Sequence, residues 1–215
     1  TYINIKQYCD QHGVTLVAVS KTKPVEAITE LYQLGQRIFG ENKVQELLEK
    51  AKLLPEDIQW HLIGHLQTNK VKQVLPRVAL IHSVDSMHLM EEIEIESAKL
   101  SQKTEILLQL KIAVEETKYG LNDHELKEII QYMNEARFPH LIVRGLMGMA
   151  SFTEAEEQVK KEFAVLKSIF DETKEMLLSP ANFNILSMGM SGDFHLAVSE
   201  GSNMVRVGSL IFGER

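Results

Sequence analysis

The sequence predicts an α/β protein built as a single (β/α)8 barrel of the TIM type, and three observations predict it. Eight short apolar runs alternate with amphipathic segments along the whole chain. Most runs are β-branched or aliphatic without strict alternation, the pattern of parallel strands buried on both faces. No two adjacent runs are joined by a two-residue turn, so right-handed crossovers rather than hairpins connect them. An open doubly wound sheet uses the same βα units. Eight units in one compact chain of 215 residues favour closure, because a closed barrel needs at least about 200 residues.

The runs are LVAVS (16–20), RIFGEN (37–42), WHLIG (60–64), LIHSVD (80–85), EILLQLK (105–111), LIVRGLMGM (141–149), ILSMGM (185–190) and MVRVGSLIFG (204–213). Helical patterns lie between them. Asn122 and Glu125 open one helix, with Leu126, Ile129, Ile130 and Met133 on its inward face. After Ser151, Thr153 and Glu156 have the spacing of a capping box, and Val159, Phe163, Leu166 and Phe170 fall on one face. The chain starts at Thr1 without a methionine, inside a helical pattern. Some N-terminal residues of that helix, and any targeting signal among them, are therefore expected to be absent. Residues 1–215 read as one domain.

Hydrophobic residues make up 44% and charged residues 25%, an ordinary globular balance. The net charge of -7 disfavours broad binding to nucleic acid or anionic membrane. No stretch reaches the roughly 18 apolar residues of a membrane span. The single cysteine, Cys9, can form no internal disulfide, which fits a reducing cytoplasm.

In a barrel of this kind, chemistry collects at the C-terminal ends of the strands. Lys21 ends the first run. A lysine closing a buried strand loses hydration, and Lys23 adds a like charge nearby; both favour the neutral amine that attacks a carbonyl. VSKTKP read as a solvated loop is the equal alternative. Lys23 precedes Pro24 and is the weaker candidate. Ser191 and Gly192 follow the seventh run, and Gly208 and Ser209 stand in the eighth. These two loops often hold phosphate in such barrels, although tight βα turns use the same residues. Arg206 lies inside an apolar strand and must have a partner, structural or a cofactor ring nitrogen. Asn42 is open to a pocket role or to capping the next helix. His61 and His65 straddle a strand end without a third ligand, which argues against a metal site. Trp60 and His61 read as core and supporting residues, and Met147, Met149, Met188 and Met190 as filling near the barrel top. Lys118 is open to a pocket role or to simple exposure.

Taken in order, VSKTKP, FGENKVQE, WHLIGHLQTNK, RGLMGM, LSMGMSGD and VRVGSLIFGER resemble the YggS/PROSC family of pyridoxal 5′-phosphate (PLP)-binding proteins. The resemblance covers nearly the whole chain, and WHLIGHLQTNK is its most specific stretch. It implies a barrel similar to the N-terminal domain of alanine racemase, monomeric, with PLP held as a Schiff base on Lys21. It sets Ser191, Gly208 and Ser209 around the phosphate and Arg206 beside the pyridine nitrogen; Gly192 and Asn42 complete the expected pocket. It further implies a role in vitamin B6 homeostasis with no established catalytic activity, and PLP-dependent apo-enzymes as recipients.

Three functions compete. The first is a non-catalytic PLP carrier, and the second a weak PLP-dependent amino-acid racemase. An arginine at the ring nitrogen weakens the electron sink without forbidding the chemistry, since the racemases this barrel resembles tolerate one, but the chain offers no evident acid/base on the opposite face. The third is a Schiff-base aldolase, which would expect its lysine on strand six, where the sequence has Arg144.

Overall fold

The computed structural model describes residues 1–113 and 119–213, so Lys118 lies outside the described residues. Eight strands, β1 (Thr15–Val19), β2 (Ile38–Glu41), β3 (Gln59–Leu62), β4 (Val78–Val84), β5 (Thr104–Gln109), β6 (Leu141–Met147), β7 (Ile185–Ser187) and β8 (Met204–Val207), form a closed parallel barrel in sequence order. The chain ends are zipped together, with Leu16 opposite Val205 and Val17 opposite Arg206. The surrounding helices are α1 (Tyr2–Gln11), α2 (Val25–Gln33), α3 (Val44–Ala51), α4 (Val71–Val74), α5 (Met87–Lys99), α6 (Asp123–Asn134), α7 (Glu156–Met176), α8 (Phe194–Ser199) and α9 (Ser209–Phe212). Among the described residues, no helix is long and apolar enough to cross a membrane.

Burial divides along the pleat. Alternate strand residues face the helices, where Phe39, Leu62, Ile81, Ile106 and Phe163 are fully buried in the larger core. The others face the barrel axis, where Val17, Leu80, Leu107, Met147 and Met204 form a separate cluster. Helix α6 begins as its sequence predicts, with Asn122 and Glu125 closing a reciprocal capping box. Cys9 is buried in α1, and that burial pushes its thiol up to about 11.

Two expectations need correction. The last apolar run is not one strand: β8 stops at Val207 and Ser209 opens the short helix α9. The capping box at Thr153 does not form either. Helix α7 starts only at Glu156, so that glutamate cannot occupy the third helical position a box requires. Thr153 Oγ1 instead accepts from the Ala155 N–H (3.2 Å), and Glu162 accepts from the Ser151 N–H (2.6 Å) and hydroxyl (2.7 Å).

Gly145 on β6 has φ +149, and a Cβ there would lie 1.8 Å from the Ile185 carbonyl oxygen of β7. Gly145→Ala is expected to destabilise the barrel by about 3 kcal/mol or more, lowering Tm by roughly 6–12 °C. A calorimetric Tm within 2 °C of the parent protein would contradict that close approach.

Candidate functional site

A cavity of about 510 Å³ opens at the C-terminal end of the strands. Lys21, Asn42, Ser191, Gly192, Arg206, Gly208 and Ser209 all line it. VSKTKP is therefore not a merely solvated loop: Ser20 is buried, Lys21 is partly buried, and the Lys23 ammonium donates to the Gly213 carbonyl (3.0 Å). Asn42 is no helix cap. The cap position of α3 belongs to Lys43, which makes no side-chain bond there.

The strand ends are held by backbone proximity. A Cβ on Gly64 would lie 2.3 Å from the Asn42 carbonyl oxygen, so the end of β3 rests directly on the end of β2. The Gly64 carbonyl accepts from the Ser83 hydroxyl (2.6 Å), which ties it to β4. Across the mouth, the Gly208 N–H donates to Ser191 Oγ (3.1 Å), linking the loops that follow β7 and β8. Asp193, the carboxylate in this corner, turns Oδ1 back to accept from the Met190 N–H (2.6 Å).

Arg206 enters from the pocket floor. It is buried, donating from Nη1 to Ser187 Oγ (2.6 Å) and from Nη2 to the Gly148 carbonyl (3.1 Å). Burial pushes its guanidinium down to about 10, with nearby Asp193 pulling the other way, so it stays cationic at neutral pH. Ser187 also meets His82 Nδ1 (3.1 Å), and His82 Nε2 meets His61 Nδ1 (2.9 Å). The guanidinium can only donate to Ser187 Oγ, and the directions of the bonds from Ser187 through His82 to His61 follow the tautomers of the two rings. Both imidazoles are neutral. Burial lowers His61 to about 3, and burial with the neighbouring His61 and Arg206 takes His82 well below the usual histidine range.

His61 and His65 thus do different work. His61 is part of the buried interior, whereas His65 reaches the mouth, hydrogen-bonded to Asp85 (3.0 Å) and stacked on Tyr119 (centroids 4.3 Å apart). Met147 and Met188 are fully buried as filling, while Met149 and Met190 reach the pocket. Arg144, the strand-six residue an aldolase would use, faces Glu105 at 3.6 Å and is absent from the pocket lining. Gln109, Tyr119 and Asp193 also line the pocket but were not singled out by sequence. Gln109 carried a usable signal. It stands two residues after inward-facing Leu107 and so shares its face.

Comparison with known proteins agrees with this geometry. The family model of the alanine racemase N-terminal domain matches residues 2–215. A pyridoxal phosphate homeostasis protein of Aquifex aeolicus is 39% identical, covering 98% of this chain and 93% of its own length. The Homo sapiens protein of the same name is 42% identical over 93% of this chain and 76% of its own. PipY of Synechococcus elongatus PCC7942, solved with PLP bound, superposes with a TM-score of 0.84 at 35% identity, covering 94% of this chain and 93% of that one. The chain belongs to the family of the pyridoxal phosphate homeostasis proteins, whose fold is that of the alanine racemase N-terminal domain.

Proposed function

We propose that this chain binds PLP at Lys21 and acts in PLP homeostasis as a carrier rather than by turnover. The observation that carries the reading is the convergence of Lys21, Arg206 and the two Gly/Ser pairs on one cavity in a member of this family. On this reading residues 1–215 act as one PLP-binding domain, a cytoplasmic monomer whose recipients are PLP-dependent apo-enzymes. The net charge of -7 supports the absence of nucleic acid from its partners.

The residues fit the cofactor. Ser191, Gly192, Gly208 and Ser209 bring hydroxyl and backbone donors to one corner, and a Cβ on Gly192 would meet nothing within 4 Å, leaving that side open. Asp193, a carboxylate at the edge of this corner, turns Oδ1 to the Met190 N–H rather than to the open side. Arg206 presents only donors, and two of its five N–H groups are engaged by Ser187 and Gly148. Bound there, PLP supplies an aldehyde to a lysine amine, an electron-withdrawing ring and a phosphate. Lys21 would hold the aldehyde end, the loops after β7 and β8 would hold the phosphate, and Arg206, which can only donate, would serve the ring nitrogen.

Protein loaded with PLP and reduced with borohydride is expected to carry the pyridoxyl group on the peptide containing Lys21. Label on Lys23 or Lys111 instead would defeat the assignment. The second reading, a weak amino-acid racemase, draws on His65 and Asp85, an acid/base-capable pair at the same mouth. Incubating the loaded protein with L-alanine in deuterated water separates the two. Deuterium at Cα above the rate of free PLP favours the racemase.

A further inference from the structure

Lys21 is flanked by Ser20 and Thr22, and both are tied to one cluster outside the pocket, in which Lys50 and Glu41 are buried and Glu46 is partly buried. The Lys50 ammonium, from α3, donates to the Ser20 carbonyl, Glu41 Oε1 and Glu46 Oε1, each at 2.7 Å. These three bonds use all of its donors. Glu41 Oε1 also accepts from the Ser20 hydroxyl (2.6 Å), and Glu46 Oε1 accepts from the Thr22 N–H (2.6 Å). A single nitrogen therefore holds the backbone before Lys21 directly, and the backbone after it through one carboxylate.

The turn needs holding. Thr22 has φ +65, a left-handed conformation that a β-branched residue adopts only under constraint. The cluster is also an expensive way to stabilise a fold. The Glu41 side chain is fully buried and its Oε2 has no hydrogen-bond partner. Burial raises its carboxyl, offset by hydrogen bonds from Lys50 and Ser20. Apolar residues of similar volume commonly do as well or better where stability alone is required. The charges are not aimed into the pocket, because none of the three residues lines it.

We propose that Lys50, Glu41 and Glu46 are positioning residues: they lock the Ser20–Thr22 turn so that Lys21 is presented to the cavity. This rests on the reading of Lys21 as the residue that captures PLP. Glu46 is the informative site, being only partly buried, so Glu46→Ala should fold where Lys50→Met could fail. Glu46→Gln retains an oxygen that can accept from the Thr22 N–H. The readouts are the rate at which added PLP develops the visible absorption band, the distribution of borohydride-fixed label among lysine peptides, and Tm. Phe170→Ala, a buried residue of α7 that stacks on Phe183 and does not line the pocket, serves as a variant destabilised without touching the turn.

Glu46→Ala is expected to slow capture about tenfold or more and to spread label from Lys21 to Lys23. Glu46→Gln should restore most of the rate, and Phe170→Ala should lower Tm with capture unchanged. Wild-type capture rate in Glu46→Ala, with label confined to Lys21, overturns this inference. Absence of Lys21 label in the wild-type protein would instead overturn the assignment of Lys21 itself.

Discussion

Replacing Lys21 with alanine is expected to abolish the visible absorption of the PLP-loaded protein and to weaken PLP retention by at least about a hundredfold, or about 3 kcal/mol. The fold should be indifferent to the change. Lys21 is only partly buried, and the turn around it is tied down through Ser20 and Thr22 by the Lys50 cluster, which the substitution leaves in place. Circular dichroism and Tm should therefore match the parent within error. Residual weak binding is also expected, because the loops after β7 and β8 and Arg206 remain to hold phosphate and ring. An unchanged spectrum in the variant would sink the assignment. Loss of spectrum together with loss of fold would show that Lys21 supports the structure.

Acid is expected to destabilise this protein steeply. His61 and His82 are both buried and neutral in the barrel, His61 lowered to about 3 from an ordinary value of 6.5 and His82 lowered well below it. Below pH 6.5 an unfolded chain gains protons on both rings that the native barrel refuses, so native stability is lost as pH falls. Above 6.5 neither state binds them and the difference vanishes. Each ring contributes up to about 1.4 kcal/mol per pH unit, so acidification from pH 6.5 to 5 should cost about 3 kcal/mol for the two rings together. That is a large part of a typical 5–15 kcal/mol total. Glu41 acts in the opposite sense. Its raised carboxyl binds a proton more tightly in the native state, which favours the fold as pH falls between its native value and 4.5. Urea titrations across this range should give a slope near two protons, falling to about one in His61→Asn. Constant stability between pH 7 and 5 would contradict the neutral, buried pair.

Most of the fold was legible because parallel strands are apolar on both faces and stand out as runs. The strand ends then delivered the pocket: all seven residues expected from position and resemblance line one cavity. Boundaries were less legible. MVRVGSLIFG is apolar throughout, so its pattern could not mark where Gly208 bends the chain out of β8 into α9. Thr153 and Glu156 carry the letters of a capping box, but the letters alone do not fix that the helix begins two residues later, at Glu156. The floor chain from Arg206 to His61 was missed for a different reason. It joins β8, β7, β4 and β3, and only barrel closure and register bring those polar positions together. The Lys50 cluster is similar, since Lys50 follows the helical pattern of α3 and looks like any surface lysine until α3 is docked.

Gly64 bears on what the pocket can admit. Its missing methyl lets the third strand lie against the Asn42 carbonyl, while Ser83 pins it from the other side. The aperture on this flank is thus metered by main chain, not by adjustable rotamers. Side chains such as Met149 and Met190 can re-upholster the walls, but the gauge between Asn42 and the third strand is fixed. Any heavier residue at 64 would shift that gauge by moving Asn42 itself.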